Sequence, residues 1–256
     1  MQPGGTTAQP SAAIHMPNTF EAYGSGGEDM RVYAPSTGRN KGVIGAMLKE
    51  RLEAAGGAGS RPCPVILEVA CGAGEHAANL GSLMPWLTVQ PTDYHGDLFG
   101  SVAAHAAQLP NVAPPLLLDT SSDARAPGGQ WAAAVRAAVT AAMHGGMAQP
   151  APLSSEGELP PPPGGVLDAM LCINMTHISP WPATLGLLDG AANYLVPVTG
   201  TLLIYGPFTI DNGTHTSEGN ASFDASLRER DPAWGYRDVE AIRGEAAKRG
   251  LVLQSP

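Results

Sequence analysis

Apolar residues along this chain alternate between helical stripes and short continuous runs. From Val43 to Leu52 they fall at 43, 44, 47, 48 and 52, the three-and-four spacing of a helix with one buried face. Residues 64–70 then form an unbroken apolar run interrupted only by Glu68, which predicts a buried strand. That run breaks at Cys71-Gly72-Ala73-Gly74, and residues 75–84 return to a helical pattern. Trp86 to Gln90 predicts a second strand, stopped by Pro91 and followed by Asp93. A helix over 97–108, a short strand over 114–119 ending in Asp119, and an alanine-rich helix over 129–143 come next. Val166 to Ile173 reads as a buried strand leading into Asn174-Met175-Thr176-His177. A helix from about 182 to 195, a turn at 197–200 and a fifth strand, Thr201 to Tyr205, follow. The pattern closes with a polar loop (209–219) and helical segments near 221–230 and 237–249, with Gly250 as a helix stop before Leu251-Val252-Leu253.

Strands alternating with helices predict an α/β, Rossmann-like sandwich, a mostly parallel sheet with helices on both faces. Such sheets take ligands at the carboxyl ends of their strands, near the point where strand order reverses. The glycine turn, Asp93, Asp119 and Asn174 all follow strand ends, so they are expected on one rim. Residues 1–29, rich in Gly, Pro, Ser and Thr without an apolar period, are expected to be a disordered tail. The domain then spans 30–256. Residues 144–165, ending in Pro160-Pro161-Pro162-Pro163-Gly164-Gly165, cannot sit inside a sheet or helix and are expected to loop out.

Charge narrows the partners. The net charge is −9 with no Lys/Arg cluster, which argues against a protein that tracks nucleic-acid phosphate. Cys63, Cys71 and Cys172 have no metal-ligand spacing and their odd number argues against a disulfide framework. No apolar run approaches the ~20 residues of a membrane span, and the N-terminal stretch lacks the cationic start and apolar stretch of a secretory signal. A soluble cytoplasmic protein is the expectation, with no metal and no membrane.

Two ligand classes suit a glycine turn followed by a carboxylate nineteen positions after Gly74. Gly72-Ala73-Gly74-Glu75-His76-Ala77 matches the dinucleotide pattern G-x-G-x-x-A. A pyrophosphate there would, however, meet Glu75 in the first helical turn, where negative charge is unwelcome. S-adenosylmethionine removes that objection, because it carries no phosphate and has a sulfonium and an α-amino group. Glu68 before the turn, Asp93 for ribose hydroxyls and Asp119 for the adenine amino group form a coherent set of acceptors. An NAD-dependent oxidoreductase is the weaker alternative.

Several stretches carry a specific likeness: Arg31 to Asn40, the glycine turn, Gln90 to Asp93, Leu109 to Val112, Asn174 to Trp181, Tyr205 to Phe208, and Asn220 to Asp238. With them the chain resembles the methyltransferase-like protein 26 family, a branch of the class I S-adenosylmethionine-dependent methyltransferases, over about residues 31–254. The resemblance implies a seven-stranded methyltransferase sheet and a methyl donor, and implies no particular acceptor. A small molecule or a protein suits the charge better than nucleic acid. Where the family pattern continues into a last strand, the sequence reads Gln254-Ser255-Pro256, so that strand is expected to be missing. A donor-binding protein without turnover is therefore a second alternative.

At the reacting centre His177 is the candidate base, with a loop-pinning role equally open. Asn174 is expected to shape the cofactor or acceptor pocket. Tyr33, Arg39 and Asn40 are expected to fold over the donor or to pack as an arm. His76 is expected half-exposed and His215 solvated. Phe208, Phe223 and Trp234 wall an acceptor pocket or sit in core. Arg228, Arg230, Asp231, Arg237 and Asp238 read first as a surface ion-pair group.

Overall fold

The computed structural model describes residues 29–56, 64–144 and 165–254. All of the expected tail but Asp29, and nearly all of the Pro/Gly-rich insertion, lie outside the described residues. The order is α1 (Pro35–Ala54), β1 (Val65–Val69), α2 (Glu75–Leu83), β2 (Thr88–Asp93), α3 (Phe99–Ala106), β3 (Leu116–Leu117), α4 (Gln130–Met143) and β4 (Ala169–Ile173). It continues with a 3-10 turn (Thr176–Ile178), α5 (Trp181–Tyr194), β5 (Thr201–Tyr205), β6 (Phe208–Thr209), α6 (Glu218–Arg230), β7 (Arg237–Asp238) and α7 (Val239–Lys248).

Five parallel strands form one sheet in the order β3-β2-β1-β4-β5. Strand order reverses between β1 and β4, so the glycine turn after β1 and the Asn174 loop after β4 stand side by side at the switch point. β1 is buried on both faces, which is why it reads as a continuous apolar run. Its residues alternate. Ile66 packs with Ile44, Leu48 and Leu80 under α1 and α2, while Val65, Leu67 and Val69 pack with Trp131 and Leu187 under α4 and α5. Glu68 is two residues from Ile66 and therefore lies on the α1–α2 face.

Four expectations change. Helix α1 begins at Pro35, two turns before its apolar stripe, with Pro35 in the first turn where proline is tolerated. Its early buried positions are the polar Thr37 and Asn40, so hydrophobic period could not reveal them. β2 does not stop at Pro91 but runs through it to Asp93. Val89 two residues earlier donates toward Asn111, so the missing amide of Pro91 faces the β3 side. There β3 pairs only with Thr92 and Asp93, and the Gln90 side chain donates to Pro91 and Pro114 carbonyls instead. β3 itself is two residues long. Finally, β6 and β7 form a small parallel pair of their own, Phe208 with Arg237 and Thr209 with Asp238, where a loop and a helix start were expected.

β5 borders the main sheet among the described residues and is half-buried along most of its length. Five main-sheet strands are described rather than seven, and Leu251 to Leu253 are not in a strand.

Candidate functional site

The glycine turn demands left-handed backbone at three places, Ala70 (φ 57°), Gly72 (φ 53°) and Gly74 (φ 91°). At Gly74 space is decisive as well as torsion, since a Cβ would stand 2.7 Å from Val102 Cα on α3. Asp93 locks the turn from the neighbouring strand. Its Oδ2 accepts the Gly72 amide at 2.9 Å and its Oδ1 the His95 amide at 3.2 Å. Burial pushes the Asp93 pKa up and these amides pull against it.

Glu68 lies behind the turn, 2% exposed, and its Oε2 has no hydrogen-bond partner. Burial, with the Asp93 carboxylate second, raises its pKa to about 8, opposed by the Ala77 amide. Asp119 is partly exposed just past β3. Its Oδ1 accepts both the amide and the hydroxyl of Ser121, and its own amide donates to Gln130. The structure therefore brings Glu68 and Asp93 together and sets Asp119 on the adjacent strand end.

The arm before α1 is strapped to this turn. Val32 donates its amide to Ser101 Oγ, which donates to the Ala73 carbonyl inside the turn. Ala34 donates to Glu75 Oε2 at 2.7 Å, and Lys41 lies 3.7 Å from Glu75 Oε1. Tyr33 stands edge-on to His105, whose Nε2 is 3.0 Å from the Val32 carbonyl. Arg39 lies on the exposed side of α1 with no ion pair among the described residues, while Asn40 is buried. His76 is not half-exposed but buried at 7%, and burial, with the Lys41 charge second, lowers its pKa to about 4.

Across the switch point, Asn174 is held at φ 56° with its amide on the Tyr205 carbonyl. His177 is buried, its Nδ1 unpartnered, and burial with Arg237 second lowers its pKa to about 4. Gly206 leaves this corner open: a Cβ there would come within 3.4 Å of His177 Nδ1 and 3.7 Å of Asn174 Oδ1. Phe223, 42% exposed, and Tyr236 stand edge-on to the His177 ring at 6.1 and 6.2 Å.

The segment read as a surface ion-pair group is a clamp on this loop. Arg237 is partly buried and donates to the carbonyls of Thr176, Ser179 and Ala233, with its guanidinium over the Trp181 ring. Gly235 donates to the His177 carbonyl. Asp238 caps α7 and also accepts from Thr209 and Gly213. Arg228 pairs with Asp224, which in addition accepts the Tyr236 amide and sits 2.9 Å from His215 Nε2, so His215 is not a solvated loop residue. Trp234 is core and Phe208 is half-buried. A cavity of about 500 Å³ is lined by Tyr236 and His215, but its Asp224 and Asp238 are spent on these internal bonds.

Glu75, Ser101 and Asp224 were not singled out as site builders. Glu75 had a signal, an acid in the first turn of α2, but its partners lie 34 and 41 residues away in the chain. Ser101 carried none.

Residues 31–256 match the family described as protein of unknown function DUF938. The chain belongs to that family. Its fold is that of the S-adenosylmethionine-dependent methyltransferases. An O-methyltransferase family protein from Burkholderia thailandensis is similar with a TM-score of 0.52 at 16% identity, covering 86% of this chain and 56% of that one. The S-adenosylmethionine-dependent methyltransferase SibL is similar at 0.51 and 18%, over 84% and 49%. The mitomycin 7-O-methyltransferase MmcR is similar at 0.50 and 10%, over 85% and 53%. The chain thus spans about half the length of these proteins, and at such identities the likeness is one of fold. No described helix of this DUF938 member is long and apolar enough to cross a membrane.

Proposed function

We propose that this chain is a cytoplasmic S-adenosylmethionine-dependent methyltransferase whose acceptor is a small molecule or a protein rather than nucleic acid. The observation that carries the reading is Glu68, a buried carboxyl with an unpartnered oxygen beside Asp93, behind a glycine turn. An acceptor-rich site of this kind suits a cationic donor, whose charge favours ionised Glu68 where that of a pyrophosphate would oppose it. The resemblance to the methyltransferase-like protein 26 family supports the same reading.

In it Asp93 holds the ribose hydroxyls, Asp119 the adenine amino group, and the backbone of Gly72 to Gly74 gives close approach. S-adenosylmethionine supplies an electrophilic methyl on sulfur: a bond forms from the acceptor oxygen or nitrogen to carbon as the sulfur–carbon bond breaks, leaving S-adenosylhomocysteine. Asn174 and His177 face the acceptor. His177, neutral because burial lowers its pKa to about 4, accepts a hydrogen bond through Nδ1 and fixes the direction of the acceptor lone pair. It is a weak base. It takes the proton only as the new bond makes the methylated atom strongly acidic.

Calorimetric titration with S-adenosylmethionine, S-adenosylhomocysteine and NAD(H) tests the cofactor. Binding of the first two without NAD(H) is expected, and NAD(H) binding alone overturns the reading. Transfer of labelled methyl in a cell extract separates an enzyme from a donor-binding protein. The low basicity of His177 favours the latter if no transfer is seen.

A further inference from the structure

Helix α1 buries one face and leaves the other uncovered. Ile44, Leu48 and Leu52 pack inward with residues of β1 and α2, and Thr37 and Asn40 continue the buried line toward the N-terminus. On the outward side Val43 is 68% and Met47 49% exposed, about one helical turn apart. Ala46 is exposed beside them, and Arg39 and Glu50 are exposed a turn further out in each direction. At roughly 3.6 residues per turn, positions 39, 43, 46 and 50 fall on one stripe with 47 along its edge. Two large apolar side chains held in water at the middle of a helix make burial against a partner favourable.

Charge says which partner. The ion pairs of α1 are Lys41 with Glu75 and Lys49 with Glu53, which leaves Arg39, Glu50 and Arg51 unpaired among the described residues. Arg51 stands off the stripe. Arg39 and Glu50 lie on it, about 16 Å apart along the axis, opposite in sign and equidistant from a centre between Ile44 and Gly45. Such a stripe is complementary to itself only when reversed. A second copy of α1 laid antiparallel about that centre sets Val43 against Ala46, with Met47 along their flank. It also sets Arg39 against Glu50 at each end, the self-complementary contact of a two-fold pair. A parallel pair would oppose Arg39 to Arg39 and Glu50 to Glu50. We propose that the outward face of α1 is the surface through which two copies of this chain pair, antiparallel and two-fold. The inward side of the same helix is fastened to the glycine turn by Lys41 and Ala34 on Glu75 and by Asn79 on the Lys41 carbonyl. Pairing therefore braces the element that carries the strap. One helix pair buries less than the ~1,600 Å² of a standard interface, and the net charge of −9 on each copy adds repulsion. The dimer is accordingly weak, forming at concentrations on the order of 10 µM or above.

Sedimentation velocity of the full chain over a wide range of concentration tests the pairing, and a monomer–dimer equilibrium is the expected result. Val43→Glu should leave only monomer. Arg39→Glu and Glu50→Arg should each weaken self-association roughly tenfold or more, because like charges then face each other at both ends. These three positions are exposed, so none of the variants removes a core contact. Two results are specific to the antiparallel register. The double variant Arg39→Glu with Glu50→Arg should regain the dimer. The two single variants, mixed, should pair with each other although neither pairs with itself. A monomer at every concentration overturns the proposal. So does a dimer that Val43→Glu leaves intact, which moves the contact to another face. Loss in the single variants without recovery in the double variant or the mixture overturns it as well.

Discussion

The two sides of the switch point are built on opposite plans. Behind β1 and β2, buried acceptors are left open: Glu68 Oε2 is unmatched and the Asp93 carboxylate holds only backbone amides. Beyond β4, the charged side chains around the His177 loop are spent on other parts of the chain. Arg237 alone ties three carbonyls of two loops, and Asp224 serves Tyr236, His215 and Arg228 at once. One side leaves a buried carboxyl oxygen unmatched. The other is a frame of internal bonds that leaves open the ring nitrogen of His177 beside Gly206 and the buried hydroxyls of Thr176 and Thr184. In the proposed reading, one side binds a common donor and the other orients a particular acceptor.

The contrast can be broken by substitution. Arg237→Met should have the largest effect, about 3 kcal/mol or more of stability, since three carbonyls lose a charged donor together. Urea denaturation measures the loss, and donor affinity in the folded fraction should be unchanged. Asp93→Ala should do the reverse, weakening donor binding by roughly 1.5–3 kcal/mol in calorimetry with a smaller effect on the melting temperature. Comparable effects of both on donor affinity would mean that the two sides are one unit.

pH acts on Glu68 and on the two buried histidines with opposite signs. Glu68 titrates at about 8 in the folded chain against an ordinary 4.5, so the folded state holds a proton that the unfolded chain has lost between these values. Its contribution is whole below 4.5 and falls as pH rises through 8, by up to about 1.4 kcal/mol per unit. His76 and His177 titrate at about 4 against 6.5, so the unfolded chain binds protons they refuse, and stability falls as pH drops from 6.5 toward 4. Glu68→Gln should remove the alkaline decline and leave the acid one. His177→Gln should blunt only the acid one. Thermal melts from pH 4 to 9 would show it, and coincident profiles for both variants would contradict the assignment. The smallest effect belongs to Ser217, whose Oγ caps α6 through the Asn220 amide. Ser217→Ala should cost about 1 kcal/mol and loosen Phe223 and Asp224 without touching the donor side.

Sequence made the donor side legible and hid most of the other. Glu68 stands out as an acid in an apolar strand, and glycine one residue either side of Ala73 has few uses, so the turn declares itself. Asp93 and Asp119 follow from the strand ends. Arg237 is different. A charged residue in a charged stretch looks solvated until its carbonyl partners, some sixty residues upstream, are folded against it. The first turns of α1 were hidden because their buried residues are Thr37 and Asn40, and the β6–β7 pair because two residues per strand carry no period. Pro91 misled by its usual meaning, which fails where the neighbouring strand is too short to need the missing amide.

The strap has a consequence in time as well as in space. Val32 waits for Ser101, sixty-nine residues later, and Ala34 for Glu75, forty-one later. On a ribosome adding about 5–20 residues per second, the strap hangs free for several seconds before its anchors emerge. The nascent turn after β1 is thus assembled from both sides of itself in the order of synthesis. Its last fastening is supplied by a serine that no motif would have named.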